Sequence, residues 1–174
     1  MSETQLPGGG ADDGADPESG IAFAREMWAD DEASRRLGME AAVLEQDHAV
    51  VRMAIRDDMV NGHAICHGGY IFTLADSCFA LACNSRGRLT VAAGADISFT
   101  APGRLGDVLV AEGHVRSAFG RSGITDVTVR RESDGQIIAE FRGRSRSLKP
   151  LIPTVERPQT GAPPHVERPQ TGRP

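Results

Sequence analysis

Asp76 stands inside the most apolar stretch of the chain, residues 61–87, NGHAICHGGYIFTLADSCFALACNSRG. A carboxylate among Ile, Phe, Leu, Cys and Ala is costly to desolvate, so its position there asks for a use. Eight residues earlier comes the pair Gly68-Gly69, at the predicted start of a helix. The first N–H groups of a helix lack an intrahelical acceptor and lie at the positive end of its dipole, so they can receive a carbonyl oxygen or an oxyanion. An acid and an N–H donor in one element predict acyl chemistry. His63, Cys66 and His67 precede the helix. The i, i+4 spacing of the two histidines would suit zinc only within a helix, so no metal centre is expected. No feature lowers the pKa of Cys66, so it is not read as the nucleophile.

The elements that must position these residues follow from the apolar pattern. Residues 21–27 read as a helix with Ile21, Ala24 and Trp28 on one face. Asp30 or Asp31 caps a second, short helix that stops at Gly38. Residues 39–56 form two strands that bend near Asp47-His48, and the long helix spans about 68–85. Strands follow over 88–100, 108–117, 123–131 and 136–146, with Pro102-Gly103, Gly106-Asp107 and Ser133-Asp134-Gly135 as turns. Short turns make the later strands antiparallel neighbours. The long helix carries Ile71, Leu74, Ala75, Cys78 and Ala82 on one face, and Phe72, Phe79 and Cys83 beside Asp76 on another. A helix apolar all round is buried all round. One sheet covers part of it, and the remaining face is expected to meet a second copy of the chain.

Composition narrows the class. With 174 residues, 40% hydrophobic and 25% charged, the chain reads as one soluble domain with a core. No apolar run reaches the ~20 residues of a membrane span, and the first residues lack a signal-peptide pattern. A cytoplasmic protein without membrane contact is expected. The net charge of −5 resides in residues 1–20, which hold Glu3, Asp12, Asp13, Asp16 and Glu18 and no Lys or Arg. Residues 21–174 therefore sum to zero, and the short basic run Arg142, Arg144, Arg146, Lys149 does not argue for nucleic acid. The three cysteines, Cys66, Cys78 and Cys83, contain no C-x-x-C pair, so no disulfide framework is indicated. Residues 1–20 read as a disordered acidic tail and 21–149 as the folded domain. Residues 150–174 read as a flexible tail that holds seven of the ten prolines and repeats Val155-Glu156-Arg157-Pro158-Gln159-Thr160-Gly161 as 166–172.

The stretch N-G-H-x-x-C-H-G-G-x-x-F-x-L-A-D, the following C-N-S-x-G, and Ile97-Ser98-Phe99, Pro102-Gly103, Gly106-Asp107 and Phe141-Arg142-Gly143 resemble the hotdog-fold acyl-CoA thioesterases of the phenylacetate-degradation (PaaI) type. The resemblance covers about residues 21–148. It implies an α+β hotdog fold, an antiparallel β-sheet wrapped around one long central α-helix. It implies hydrolysis of an acyl-CoA, phenylacetyl-CoA or hydroxyphenylacetyl-CoA, to the free acid and CoA, with no cofactor. Asp76 matches the essential carboxylate, as general base on water or as nucleophile. Gly68 matches the residue whose N–H polarises the thioester carbonyl, and Asn61 the polar residue that positions substrate or water. The family's further polar partner has no obvious counterpart, since its two usual places are Ala80 and Ala92-Ala93.

Helix geometry bears on this reading. Gly68 and Asp76 are separated by roughly 12 Å of helix rise, whereas a reacting carbonyl needs donor and base within about 3.5 Å. Two antiparallel helices from two copies can supply both, so a homodimer is part of the expected mechanism; the resemblance to hotdog proteins, many of them dimers of dimers, implies a homotetramer. Phe72 and Phe79 are expected to keep Asp76 poorly solvated and hence more basic. Substrate contacts are expected from His67, Gly69, Tyr70, Phe72 and Phe79 around the acyl group. Arg121, Ser122 and Arg144 are expected near the CoA phosphates. Simpler roles stand beside these: Asn61 as a turn residue, Gly68-Gly69 as packing, His67 as a loop anchor, the arginines as solvated strand ends. The rival functions are a hotdog enoyl-CoA hydratase or dehydratase, which would pair a histidine with the acid, and a non-catalytic acyl-CoA-binding sensor, which would need an effector module.

Overall fold

The structure, a computed structural model, describes residues 16–148. The acidic residues 1–15 and the duplicated C-terminal segment lie outside the described residues. Asp16 caps the first helix, α1 (Pro17–Ala29), accepting from the Ser19 N–H at 3.4 Å. Helix α1 thus begins inside the stretch read as an acidic tail. Gly20 shows why: it is buried where α1 crosses the end of the long helix, and a Cβ there would come 2.3 Å from the Ser85 carbonyl oxygen.

Asp31 caps α2 (Glu32–Arg36), accepting from the Ser34 N–H at 3.0 Å, and Gly38 ends the turn with φ +71°. Strands β1 (Glu40–Glu45) and β2 (His48–Ala54) form a hairpin. After a single 3₁₀ turn (Asp57–Met59) and a loop comes α3 (Gly68–Asn84), then β3 (Thr90–Phe99), β4 (Val108–Phe119), β5 (Ser122–Arg131) and β6 (Ile137–Ser147). These elements match those read from the sequence, with ends displaced by a few residues.

All six strands join one antiparallel sheet in the order β1-β2-β4-β5-β6-β3. Helix α3 connects the first hairpin to the opposite edge, and it packs against every strand. The sheet therefore wraps the helix, which is the hotdog arrangement. Alternation along each strand does the sorting. Ala49, Val51 and Met53 of β2, Leu109 and Ala111 of β4, Val127 and Val129 of β5, and Ala139 and Phe141 of β6 face inward and are buried. Against them α3 buries Ile71, Leu74, Ala75, Cys78, Phe79, Leu81 and Ala82. Each large side chain among these contributes roughly 1.5–3 kcal/mol by leaving water. Gly143 lets β6 approach closely, because a Cβ there would lie 2.4 Å from the Phe79 ring. No helix among the described residues is long and apolar enough to cross a membrane.

Candidate active site

The sheet leaves one stripe of α3 uncovered. Gly69 is exposed, and Phe72, Thr73, Asp76, Ala80 and Cys83 are half-buried, at the three- and four-residue spacing of a single helix face. Asp76 sits mid-stripe. No hydrogen bond or ion pair reaches its carboxylate among the described residues. Burial raises its pKa above the usual carboxylate value. A half-buried acid with no structural partner differs from the buried acids of ordinary cores, which are hydrogen-bonded.

The start of α3 is pinned from the loop side. The His67 N–H donates to the Met59 carbonyl at 2.8 Å, and the Cys66 N–H to that of Gly103 at 2.8 Å. His67 is the N-cap: its Nδ1 accepts from the Gly69 N–H at 3.0 Å. The ring proton must then reside on Nε2, on the exposed side. Only one of the two glycine N–H groups is therefore committed. The Gly68 N–H has no acceptor among the described residues. Both groups were expected to be free, and the Gly69 N–H is not, because the His67 ring reaches back over it.

Asn61 shapes the loop ahead of the helix. Its Oδ1 accepts from the His63 N–H at 2.9 Å, and its backbone exchanges bonds with Ile65 (2.8 Å) and Ala64 (3.0 Å). Ala64 takes a left-handed φ of +57° within this turn. The Asn61 amide N–H₂ is left without an acceptor among the described residues, so the side chain can hold the turn and still donate to a ligand. Tyr70 sets its ring edge-on to His67, with centroids 6.4 Å apart, and its hydroxyl approaches the Asp58 carbonyl at 3.4 Å.

Two expectations change. Phe79 is 1% exposed and packs on Phe141, with ring centroids 5.9 Å apart, so it is a core residue with no surface for a ligand. Its position three residues after Asp76 turns it toward the sheet. Phe72 stays at the stripe, edge-on to the same Phe141 at 5.4 Å. The basic candidates lie far from Gly68 within one chain. Gly68 sits against Phe99, at one end of β3, whereas Thr90 at the other end pairs with Ser147, whose N–H donates to the Arg121 carbonyl at 2.7 Å. Ten strand residues span about 30 Å. Arg121 is exposed with no ion-pair partner among the described residues, Ser122 opens β5, and Arg144 is paired with Asp96 at 2.5 Å.

Phe99, noted in the sequence only within the Ile97-Ser98-Phe99 stretch, is the residue there given no role at the site. Its ring lies over Gly68, where a Cβ would come 3.0 Å from Cζ, yet the ring is 53% exposed. It forms part of an apolar edge with Leu89 and Val91, also exposed. A large apolar residue beside the helix start, on an edge strand, was the available signal. The thiols are poor nucleophiles: burial pushes Cys66 to about 11 and Cys83 to about 12.

Among the described residues, α3 thus carries a half-buried acid without a partner on its open face and an N–H without an acceptor at its start, groups of the kind acyl transfer uses. Residues 63–138 match the thioesterase superfamily. The chain is 38% identical over 125 residues to acyl-coenzyme A thioesterase PaaI of Escherichia coli (strain K12), covering 72% of this chain and 89% of that relative. The chain belongs to this family of acyl-CoA thioesterases. The solved E. coli PaaI protein, from the phenylacetic acid degradation operon, has a TM-score of 0.74 at 35% identity, over 76% of this chain and 96% of that one. A Streptococcus mutans UA159 protein solved bound to acetyl CoA is 28% identical, with a TM-score of 0.61 over 63% of this chain and 88% of that one.

Proposed function

We propose that this chain hydrolyses arylacetyl-CoA thioesters, phenylacetyl-CoA or a hydroxyphenylacetyl-CoA, to the free acid and CoA, at a site shared by two copies. The observation that carries it is Asp76: a half-buried carboxylate, unpartnered among the described residues, on the uncovered stripe of α3, in a family of acyl-CoA thioesterases.

The Gly68 N–H of one copy polarises the thioester carbonyl, and the helix dipole adds to the stabilisation of the oxyanion. Asp76 of the other copy removes a proton from water, or attacks the carbonyl to give an anhydride that water opens. Either route releases CoA as the thiol. The helix rise between residues 68 and 76 separates the two groups in one chain, and the half-buried stripe with the exposed edge residues Leu89, Val91 and Phe99 supports the second copy as the missing cover. Asn61 positions the substrate or water through its free amide group. Tyr70 and Phe72 offer aromatic surface suited to an aryl acyl group. Antiparallel pairing carries the Arg121–Ser122 end of one chain toward the helix start of the other, where CoA phosphates need cations. A cytoplasmic homotetramer completes the reading.

The test is thiol release from phenylacetyl-, hydroxyphenylacetyl-, benzoyl-, short- and long-chain acyl-CoA. Fastest release from the arylacetyl members, lost in Asp76→Asn, is the expected result. Preference for an alkyl chain overturns the substrate assignment, and an active, folded Asp76→Asn overturns the role of the acid. A homogeneous, fully active monomer in light scattering overturns the shared site.

A further inference from the structure

On the outer face of the sheet, opposite α3, three side chains from two strands converge. His48 opens β2, His114 lies directly across from it on β4, and Glu112 precedes His114 by two residues on the same face. The imidazoles stack with centroids 4.3 Å apart and planes within 3°. Both present Nε2 to one carboxylate oxygen: Glu112 Oε1 is 3.3 Å from His48 Nε2 and 3.5 Å from His114 Nε2. One ligand atom from each residue falls within 4.8 Å of the others. On the far side of His48, Glu45 Oε2 lies 3.1 Å from Nδ1.

The hydrogen bonding of this cluster does not close by itself. Glu45 is an acceptor only, so Nδ1 of His48 carries the proton, and in the neutral ring Nε2 is then a lone pair. That lone pair faces Glu112 Oε1, another acceptor. The separations of 3.3 and 3.5 Å also exceed the ~2.7–2.9 Å of a charge-assisted hydrogen bond. They approach the ligand spacing of a metal site, and because two rings stacked with planes 3° apart cannot both aim an in-plane lone pair at one ion, the exposed His114 ring must turn out of the stack for the ion to be held. For a tetrahedral ion with bonds of about 2.0–2.1 Å to imidazole nitrogen and carboxylate oxygen, ligand atoms stand roughly 3.3–3.4 Å apart. A carboxylate behind a ligating histidine, in the place of Glu45, is the usual outer partner that fixes tautomer and ring orientation.

We propose that His48, Glu112 and His114 form a binding site for a divalent transition-metal ion, zinc or a neighbour such as cobalt or nickel, oriented by Glu45. Two imidazoles and one carboxylate suit these ions over magnesium or calcium, which prefer all-oxygen sets. The three side chains are one-fifth to one-half exposed, so water completes the coordination. The ion bridges β2 to β4, the junction between the β1–β2 hairpin and the rest of the sheet. The site stands on the opposite face from Asp76 and is independent of the thioesterase reading.

The experiment uses the full chain without a polyhistidine tag, stripped of metal. Cobalt is titrated and followed by visible absorption, zinc binding by calorimetry, and unfolding temperature is measured with and without zinc. One equivalent bound at micromolar affinity, with a rise in Tm of several degrees, is expected. Loss of both in His114→Ala and in His48→Gln is expected too, with at least a tenfold weakening in Glu112→Gln. Thioester hydrolysis by the metal-free chain stays unchanged. No binding at 1 mM zinc overturns the site, as does binding that survives in both histidine variants, which would place the ion on the cysteines. A second proton on His48 is the competing occupant of the gap; it predicts no cobalt absorption and no zinc-dependent Tm, and that outcome also rejects the metal.

Discussion

The two ends of α3 differ in how completely their polar groups are satisfied, and that difference separates chemistry from architecture. At the C-terminal end the family-like motif C-N-S-x-G is spent on structure. Asn84 is buried and ties three backbone groups: Nδ2 donates to the Ala80 and Thr90 carbonyls, and Oδ1 accepts from the Thr90 N–H, each at 2.9 Å. Ser85 Oγ accepts from the Asp47 N–H at 2.7 Å, and Arg86 grips the Asp47 carboxylate at 2.7 and 2.6 Å. This end locks helix, β3 and the β1–β2 turn together. At the N-terminal end, among the described residues, the Gly68 N–H is open, the Asn61 amide is half used, and Asp76, two turns along, has no partner. Polar groups at the first end have been consumed by the fold. Those at the second are held in place by neighbours that leave them without partners among the described residues.

Substitutions can break this contrast or sharpen it. The largest effect is expected from Asp76→Asn: turnover falls ~10²–10⁴-fold while the fold and assembly persist, checked by thiol release and light scattering. Asn84→Ala is expected to do the converse. It leaves buried groups of Thr90 unsatisfied, costs about 2–4 kcal/mol in urea denaturation, and leaves kcat per folded molecule near wild type.

Glycine to alanine at each end gives a matched pair. At Gly20 the new methyl would collide with the Ser85 backbone carbonyl. The collision outweighs the ~1 kcal/mol gain in helix propensity, for a net loss of roughly 1–3 kcal/mol. At Gly68 the methyl meets only the exposed Phe99 ring, which can turn aside. Stability should change by less than about 0.5 kcal/mol, while kcat falls because the methyl intrudes on the carbonyl's approach. Equal losses of stability at the two positions would erase the contrast.

The smallest effect concerns pH. Burial raises the Asp76 pKa, so the folded chain holds this proton to higher pH than the unfolded chain does. Between the two values the folded state binds more protons, and stability falls as pH rises. At neutral pH the wild type carries that penalty and Asp76→Asn does not, so the variant should show a slightly higher Tm. The gap should close once the pH drops below the unfolded carboxylate value. Activity should rise with pH through the raised pKa, because the ionised acid is the working form. A variant less stable than wild type at pH 7 would mean that Asp76 serves the fold.

Much of this was legible in the chain. The apolar helix and the anomalous acid marked α3 and Asp76, and Asp30 or Asp31 as cap with Gly38 as stop bounded α2, where the structure gives the cap to Asp31. Phe79 was misplaced because it is three residues from Asp76, close enough to share a face by spacing. The lack of a Cβ at Gly143 lets the Phe79 ring pack directly on β6, and only the paired strand shows that contact. His67 could be read as a loop anchor but not as the group that occupies the Gly69 N–H, which depends on ring rotation.

The sequence by itself determined the elements, their order, the family and the acid at the centre of the helix, because these rest on local period, turn chemistry and an unbroken motif. Tertiary structure decided which polar groups are left unsatisfied and which distant residues meet. His48 and His114 are 66 positions apart and face each other only because β2 pairs with β4 in that register. Register is a collective result of packing every inward side chain on α3, and no local stretch of chain encodes it.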